Sequence, residues 1–187
     1  VANSAITQAR EFINAQFDAR YLPAEPNVHK SCRGNSRVQD AHEAIRPTEV
    51  GRRPEDLKPH LESDLFKLYQ LIWRRFVASQ MTPAVYEATK VDFDLEGGRF
   101  VFRATGSRVV FDGYHVLYQE AHEPEEGKTL GDLAPIPPLA MGDRVTMRQI
   151  VPSQHFTEPP PRFSEASLVK ELERLGIGRP STYAAII

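Results

Sequence analysis

Two short blocks hold the residues best placed to do chemistry. The first, Gln39-Asp40-Ala41-His42-Glu43-Ala44-Ile45-Arg46-Pro47-Thr48, sets a titratable His four residues before an Arg, with Pro and Thr directly behind. Written as a helix, His42 and Arg46 are i and i+4 and share a face. Pro47 disfavours helix at the residue before it and removes a donor, so the segment should stop there. A His and an Arg on one short, terminated surface segment can clamp a phosphate. Arg46 is either such a contact or a structural ion-pair partner; Glu43 can pair with Arg46 or hold His42 protonated, with a solvated helix residue as its leading reading; and Ile45 is expected in the core. The block is not a zinc motif, because position 46 is Arg where His-Glu-x-x-His needs a second His. His29, His60, His115, His122 and His155 are dispersed, without Cys partners at ligand spacing, so no metal site is expected.

The second block runs from Arg162-Phe163-Ser164-Glu165-Ala166-Ser167-Leu168-Val169-Lys170 into Leu175-Gly176-Ile177-Gly178-Arg179-Pro180-Ser181-Thr182-Tyr183-Ala184. Ser164 is a good N-cap for a helix carrying Leu168, Val169, Leu172 and Leu175, and Gly176 and Gly178 suit its C-terminal turn. Pro180 can open a new helix with Ser181 or Thr182 as cap. Unpaired N–H groups and the macrodipole at such a start favour an anion. Arg179, Ser181 and Thr182 could therefore hold a phosphate; a capped helix with no ligand is the other reading of the same residues.

Three regions must position these blocks. The first is helical, with Ser4 as a possible cap and Ile6, Ala9, Ile13 and Phe17 on one face beside Phe12. A second helix is expected from about Ser63 to Gln80, burying Leu65, Leu68, Tyr69, Ile72, Phe76 and Val77. Lys67, Arg74 and Arg75 can face outward, and Trp73 belongs to the core. After Thr82-Pro83 the period changes to two. Val91 to Leu95, Phe100 to Ala104, Arg108 to Phe111 and Arg144 to Val151 read as strands of an antiparallel sheet or part of a barrel-like one. Gly97-Gly98 and Asp112-Gly113 supply turns, and Ala121 to Leu139 is a long Glu-, Gly- and Pro-rich loop with Pro135 to Pro138 extended. Glu158-Pro159-Pro160-Pro161 then separates off the second block. The fold class is α+β.

Composition restricts the setting. The 187 residues can bury a real core, and no apolar run approaches the roughly 20 residues that span a bilayer. No signal peptide is visible, and the one cysteine, Cys32, excludes an internal disulfide and fits a reducing cytoplasm as an incidental thiol. Net charge is −2, so the whole chain does not advertise nucleic-acid binding. Lys30, Arg33, Arg37, Arg46, Arg52 and Arg53 nonetheless crowd one stretch against Asp40, Glu43 and Glu49. A DNA grip and a solvated loop are equally open readings on charge alone.

Together the two blocks resemble the type IA DNA topoisomerases. Leu68-Tyr69-Gln70-Leu71-Ile72-Trp73-Arg74-Arg75-Phe76 is most similar to the bacterial topoisomerase I branch, whereas topoisomerase III and reverse gyrase share the His42 block. The family's nucleophilic Tyr sits in a Tyr-Met-Arg-Thr-Asp-Ser-like motif, and the resemblance implies that Val1 lies just after it, inside a longer chain. It implies a fragment of a toroidal fold. Residues 1–83 would follow the tyrosine in its helical domain, 84–157 would form a strand-rich hinge, and 158–187 would begin a helical single-strand-binding domain. The implied activity is an isomerase: ATP-independent relaxation of negatively supercoiled DNA through a 5′-phosphotyrosyl intermediate, with Mg²⁺ held by a domain outside this sequence. On that resemblance His42 stabilises the scissile phosphate, while Arg46, Arg162, Arg179, Ser181 and Thr182 hold strand phosphates. The partners would be single-stranded DNA and the remaining domains, in the cytoplasm at the nucleoid, with no membrane. The fragment alone is expected to be inactive. A stand-alone single-stranded DNA-binding module and a purely structural hinge unit are the competing readings.

Overall fold

Small residues along one side of the first helix decide how closely it can pack. α1 (Asn3–Gln16) buries Ala5, Ile6, Ala9 and Ile13, a row whose alanines admit the bulky face of a second helix. The computed structural model describes residues 1–28, 44–95, 97–119, 131, 133–157 and 159–187. Two units divide the chain, Val1–Ser31 with Gln39–Pro138 and Cys32–Val38 with Leu139–Ile187.

In the first unit, α3 (Ser63–Ala78) supplies the facing side chains. Trp73, Phe76 and Val77 join Ala5, Ala9 and Ile13, with Val50 and Met81 completing the cluster. Phe12 meets Trp73 edge to face, centroids 5.4 Å apart. Burial of each large side chain here contributes about 1.5–3 kcal/mol. Two details of the expected helices change. Ala2, not Ser4, precedes α1, because the amides of Ala5 and Ile6 bond the Ala2 carbonyl at 3.1 and 3.2 Å, and both residues must lie on the buried face. Leu65 and Leu68 are 55% and 54% exposed, since the buried part of α3 is confined to its second half.

The segment that leads to α3 is irregular from residue 44 to 49, and Ile45 is 81% exposed rather than core. Pro47 and Val50 are buried in its place. The Val50 carbonyl accepts the Trp73 indole N–H at 2.8 Å, and the Arg52 carbonyl accepts the Tyr69 hydroxyl at 2.6 Å. Pro54 opens α2 (Pro54–Leu57), where its missing N–H costs nothing. At the far end of α3, Asn27 donates to the carbonyls of Ser79 and Met81, and Gln80 donates back to the Asn27 carbonyl. The helix's own last carbonyls are taken locally, Phe76 by the Ser79 hydroxyl and Arg75, Val77 and Ala78 by the amides of Ser79, Gln80 and Met81.

Only two strands form among the described residues, β1 (Val85–Leu95) and β2 (Phe100–Phe111), paired antiparallel with Leu95 opposite Phe100. Gly97 and Gly98, at φ 67 and 91, make the turn expected of them. The break expected near Gly106 is absent. A Cβ there would lie 2.5 Å from the Ala134 carbonyl oxygen and 2.6 Å from Ile136 Cγ1, so Gly106 admits a crossing backbone and β2 runs on. The strand expected from Arg144 to Val151 is also absent. Its alternating Val145 and Met147 are each 55% exposed, and among the described residues no strand lies beside it to hydrogen-bond. Arg103 grips Asp92 directly across the hairpin through two bonds of 2.6 and 2.9 Å, which hold the Asp92 carboxyl below the usual carboxylate range. That contribution is present at neutral pH and is lost as pH falls through the lowered value.

The hairpin is tied down at its open end. The Tyr21 hydroxyl donates to Asp112 at 2.7 Å, the Thr82 amide to the Tyr21 carbonyl at 2.9 Å, and the Tyr114 amide to the Thr82 carbonyl at 3.0 Å. The hydrogen bond to Asp112 raises the Tyr21 phenol above its ordinary value. In the second unit, α4 (Glu165–Leu175) and α5 (Pro180–Ile186) follow an irregular stretch. Among the described residues no helix is long and apolar enough to cross a membrane.

Candidate functional site

Within the second unit, local chemistry positions the second block. The Ser167 amide donates to Ser164 Oγ at 3.1 Å and the Ser164 amide to Ser167 Oγ at 2.8 Å, a reciprocal cap that starts α4 where the sequence placed it. At the other end Gly176, at φ 70, lets the Ile177 amide reach back to the Leu172 carbonyl at 2.9 Å. Arg174 holds Glu171 through two bonds of 2.7 and 2.5 Å, which lower the Glu171 carboxyl and leave Arg174 committed to it.

α5 starts differently from expectation. Arg179 itself is the cap, in extended backbone at φ −149, and Pro180 is the first helical residue. Proline presets its own φ and pushes the residue before it out of the α region, which makes Arg179 the boundary. Thr182 therefore lies inside the first turn. Its hydroxyl accepts from the Arg179 amide at 2.9 Å and donates to the Arg179 carbonyl at 3.0 Å. Those bonds occupy it structurally. The Arg179 guanidinium and the Ser181 hydroxyl are exposed and make no hydrogen bond or ion pair among the described residues. Arg162 is likewise exposed and uncommitted, on the irregular segment before α4.

The structure thus brings Arg179, Ser181 and Thr182 together at one helix start. No hydrogen bond or ion pair among the described residues links Arg162 to them. Arg46 belongs to the first unit, half-buried, donating to the Pro47 carbonyl at 3.3 Å. His42 lies outside the described residues, as do Glu43, Cys32, Lys30, Arg33 and Arg37. Residues 44–47 are irregular, so Arg46 is not on a helix as the i, i+4 reading requires; Pro47 again accounts for it. Of the basic stretch's other described residues, Arg52 pairs with Glu49 at 2.6 Å and Arg53 with Glu55 at 3.7 Å. Among the described residues there is no group of three or more His, Cys, Asp or Glu that could hold a metal ion.

The sequence reading did not bring together Arg53 and Arg74, which line a cavity in the first unit with Trp73 and His115. Their partners lie far apart in the chain, and Arg74 on a helix pattern reads as an outward charge. Arg75, also expected outward, lies over the Tyr118 ring at 5.7 Å.

Known proteins match the chain throughout. A family model described as DNA topoisomerase matches residues 1–187. DNA topoisomerase 1 of Rickettsia bellii is 45% identical over all of this chain and 23% of that protein's length. The Salmonella typhimurium protein of the same name is 47% identical over all of this chain and 20% of its own length. In three dimensions the chain is similar to full-length topoisomerase I from Thermotoga maritima, with a TM-score of 0.75 and 37% identity over 99% of this chain and 27% of that one. The chain therefore spans about a quarter of the relatives it matches, and its α+β elements are a section of their fold. On these grounds the chain belongs to the bacterial type IA DNA topoisomerases.

Proposed function

We propose that this chain supplies strand-holding and phosphate-stabilising groups to an ATP-independent DNA topoisomerase, which cleaves one strand through a 5′-phosphotyrosyl link, passes the other and reseals the first. The observation that carries this reading is the match over residues 1–187, which includes both chemistry-bearing blocks. In it, His42 donates to the phosphate under attack, and Arg179, Ser181 and Arg162 hold the strand, with Thr182 fixing the backbone that presents Arg179. Arg46 contacts a phosphate from the first unit. Residues 1–83 follow the tyrosine, 84–157 form the hinge, and 158–187 begin the single-strand-binding domain. Covalent catalysis keeps the phosphodiester energy in the enzyme–DNA bond, so no nucleotide is consumed. The nucleophile and the magnesium-binding residues belong to other segments of the parent, and the chain alone does not relax supercoiled DNA. Exposure of Phe100, Val101 and Phe102 on the hairpin, and of Val145 and Met147, supports the remaining domains as partners that cover them. The cytoplasm, at the nucleoid, is the setting this reading implies.

A second reading makes the chain a scaffold and hinge whose site forms only in the whole enzyme. The net charge of −2 and the Glu49 and Glu55 partners of Arg52 and Arg53 favour it. Fluorescence anisotropy of a labelled single-stranded oligonucleotide, titrated with the chain across a salt series, separates the two. We expect binding that weakens with salt and falls about 10-fold in Arg179→Ala, the loss of one charge-assisted phosphate contact. Absence of binding at low salt would leave the scaffold reading.

A further inference from the structure

In the first unit a cavity of about 510 Å³ opens between α1, α3 and the turn after β2, within the ~300–1,000 Å³ range of small-ligand sites. Phe12 and Trp73 form an apolar side, and Arg53, Arg74 and His115 line it with Glu55. Arg74 is the telling residue. It is half-buried, adjacent to the core Trp73, yet it makes no hydrogen bond or ion pair among the described residues. A guanidinium at a cavity wall, with no hydrogen-bond or ion-pair partner among the described residues, can take an anion there. Arg53 is held only by a 3.7 Å contact to Glu55. The His115 ring is fixed, with Nε2 3.0 Å from the Tyr86 hydroxyl and its face stacked on Tyr114 at 4.5 Å. His115 is thus held at Nε2 while its buried Nδ1 has no partner among the described residues, and the Arg74 guanidinium is unengaged among them.

We propose that this cavity is a binding site for a phosphodiester group and its neighbouring base, separate from the residues at the start of α5. Two guanidinium groups less one carboxylate leave a formal charge of +1, which a singly charged phosphodiester matches and a phosphomonoester exceeds. The planar fork of Arg74 suits two phosphate oxygens at once. Phe12, half-buried over the buried Trp73, gives a base an apolar surface at the cavity wall.

Trp73 is the chain's single tryptophan and lines the cavity, so its fluorescence reports this site and no other. The intact chain would be titrated with a short oligothymidylate, with thymidine monophosphate, with thymidine and with inorganic phosphate. The expected result is a saturable change with the oligothymidylate, a weaker one with the monophosphate, and none with thymidine. Arg74→Gln should raise the half-saturating concentration about 10-fold or more, and Arg53→Gln should raise it too. Circular dichroism of both variants checks that they are folded, and Arg74→Lys, which keeps charge but not the fork, should fall between. Lys67→Ala, an exposed charge on α3 outside the cavity and outside the strand-holding residues, should leave the Trp73 response unchanged; the Trp73 readout also keeps failure here distinguishable from failure of the strand-holding reading. No saturable change, or equal midpoints in folded Arg74→Gln and the parent chain, would overturn the proposal. An inorganic phosphate response as strong as the oligothymidylate's would replace it with a free-anion site.

Discussion

Trp73→Ala is expected to destabilise the first unit by about 3–5 kcal/mol, the range for deleting a large aromatic from a closed core. Trp73 is 3% exposed and central to the contact between α1 and α3. Truncation removes the indole's burial, leaves Phe12 without its edge-to-face partner, and strands the Val50 carbonyl that the indole N–H satisfies at 2.8 Å. These losses fall on one spot and are not additive, so the range applies to the whole. Trp73→Phe separates them. It keeps most of the apolar volume and the ring contact but abandons the Val50 carbonyl, and should cost about 1–3 kcal/mol. Leu68→Ala, on the same helix but 54% exposed, should stay within about 0.5 kcal/mol of the parent. Denaturant unfolding followed by far-UV circular dichroism measures all three, since the two Trp73 variants remove the fluorophore. A Trp73→Ala cost no larger than that of Leu68→Ala would mean that the two helices do not pack as described.

Trp73 also marks how much the sequence discloses. Its burial, the helix over Ser63–Ala78, the Ile6, Ala9 and Ile13 face, the Gly97-Gly98 turn and the Ser164 cap were legible because each depends on local period or local chemistry. Leu65 and Leu68 were misread because periodicity marks a face and says nothing of how far along a helix the partner reaches. Gly106 was misread as a break for the same reason. Its meaning lies in Ala134 and Ile136, whose approach no local pattern announces. The alternation from Arg144 to Val151 shows only that a strand could form there; forming one needs a neighbouring edge. At the site, the pairing of Arg179 with Thr182 is local and could be anticipated, although proline shifted the cap by two or three positions. The cavity of Arg53, Arg74 and His115 joins three separate segments, and only the fold brings them together.

The tie at the open end of the hairpin yields the second large effect. Gly113→Ala should cost about 3 kcal/mol, from two sources that can be measured apart. Gly113 sits at φ 50, where a Cβ costs about 1–2 kcal/mol. The added Cβ would also lie 2.5 Å from both the Thr82 carbonyl oxygen and the Pro83 carbonyl carbon, and 2.6 Å from the Ala84 nitrogen. Those are backbone atoms, so relief requires moving one chain off the other, at about 1–3 kcal/mol. The movement would strain the Tyr114 amide bond to Thr82 and the Tyr21 bond to Asp112 together, because both span the same gap. Gly97→Ala is the matching control. It shares a positive φ, 67, but a Cβ there meets nothing within 4 Å. Its cost should be the conformational part alone, reduced by the unfolded-state entropy that Ala loses relative to Gly. The difference between the two variants in denaturant midpoint isolates the contact between residues 82–84 and 113. Hydrogen exchange at the Tyr114 amide should quicken in Gly113→Ala and stay unchanged in Gly97→Ala. Equal costs, with Tyr114 equally protected in both, would mean that the hairpin is held to the helical core by something other than this contact.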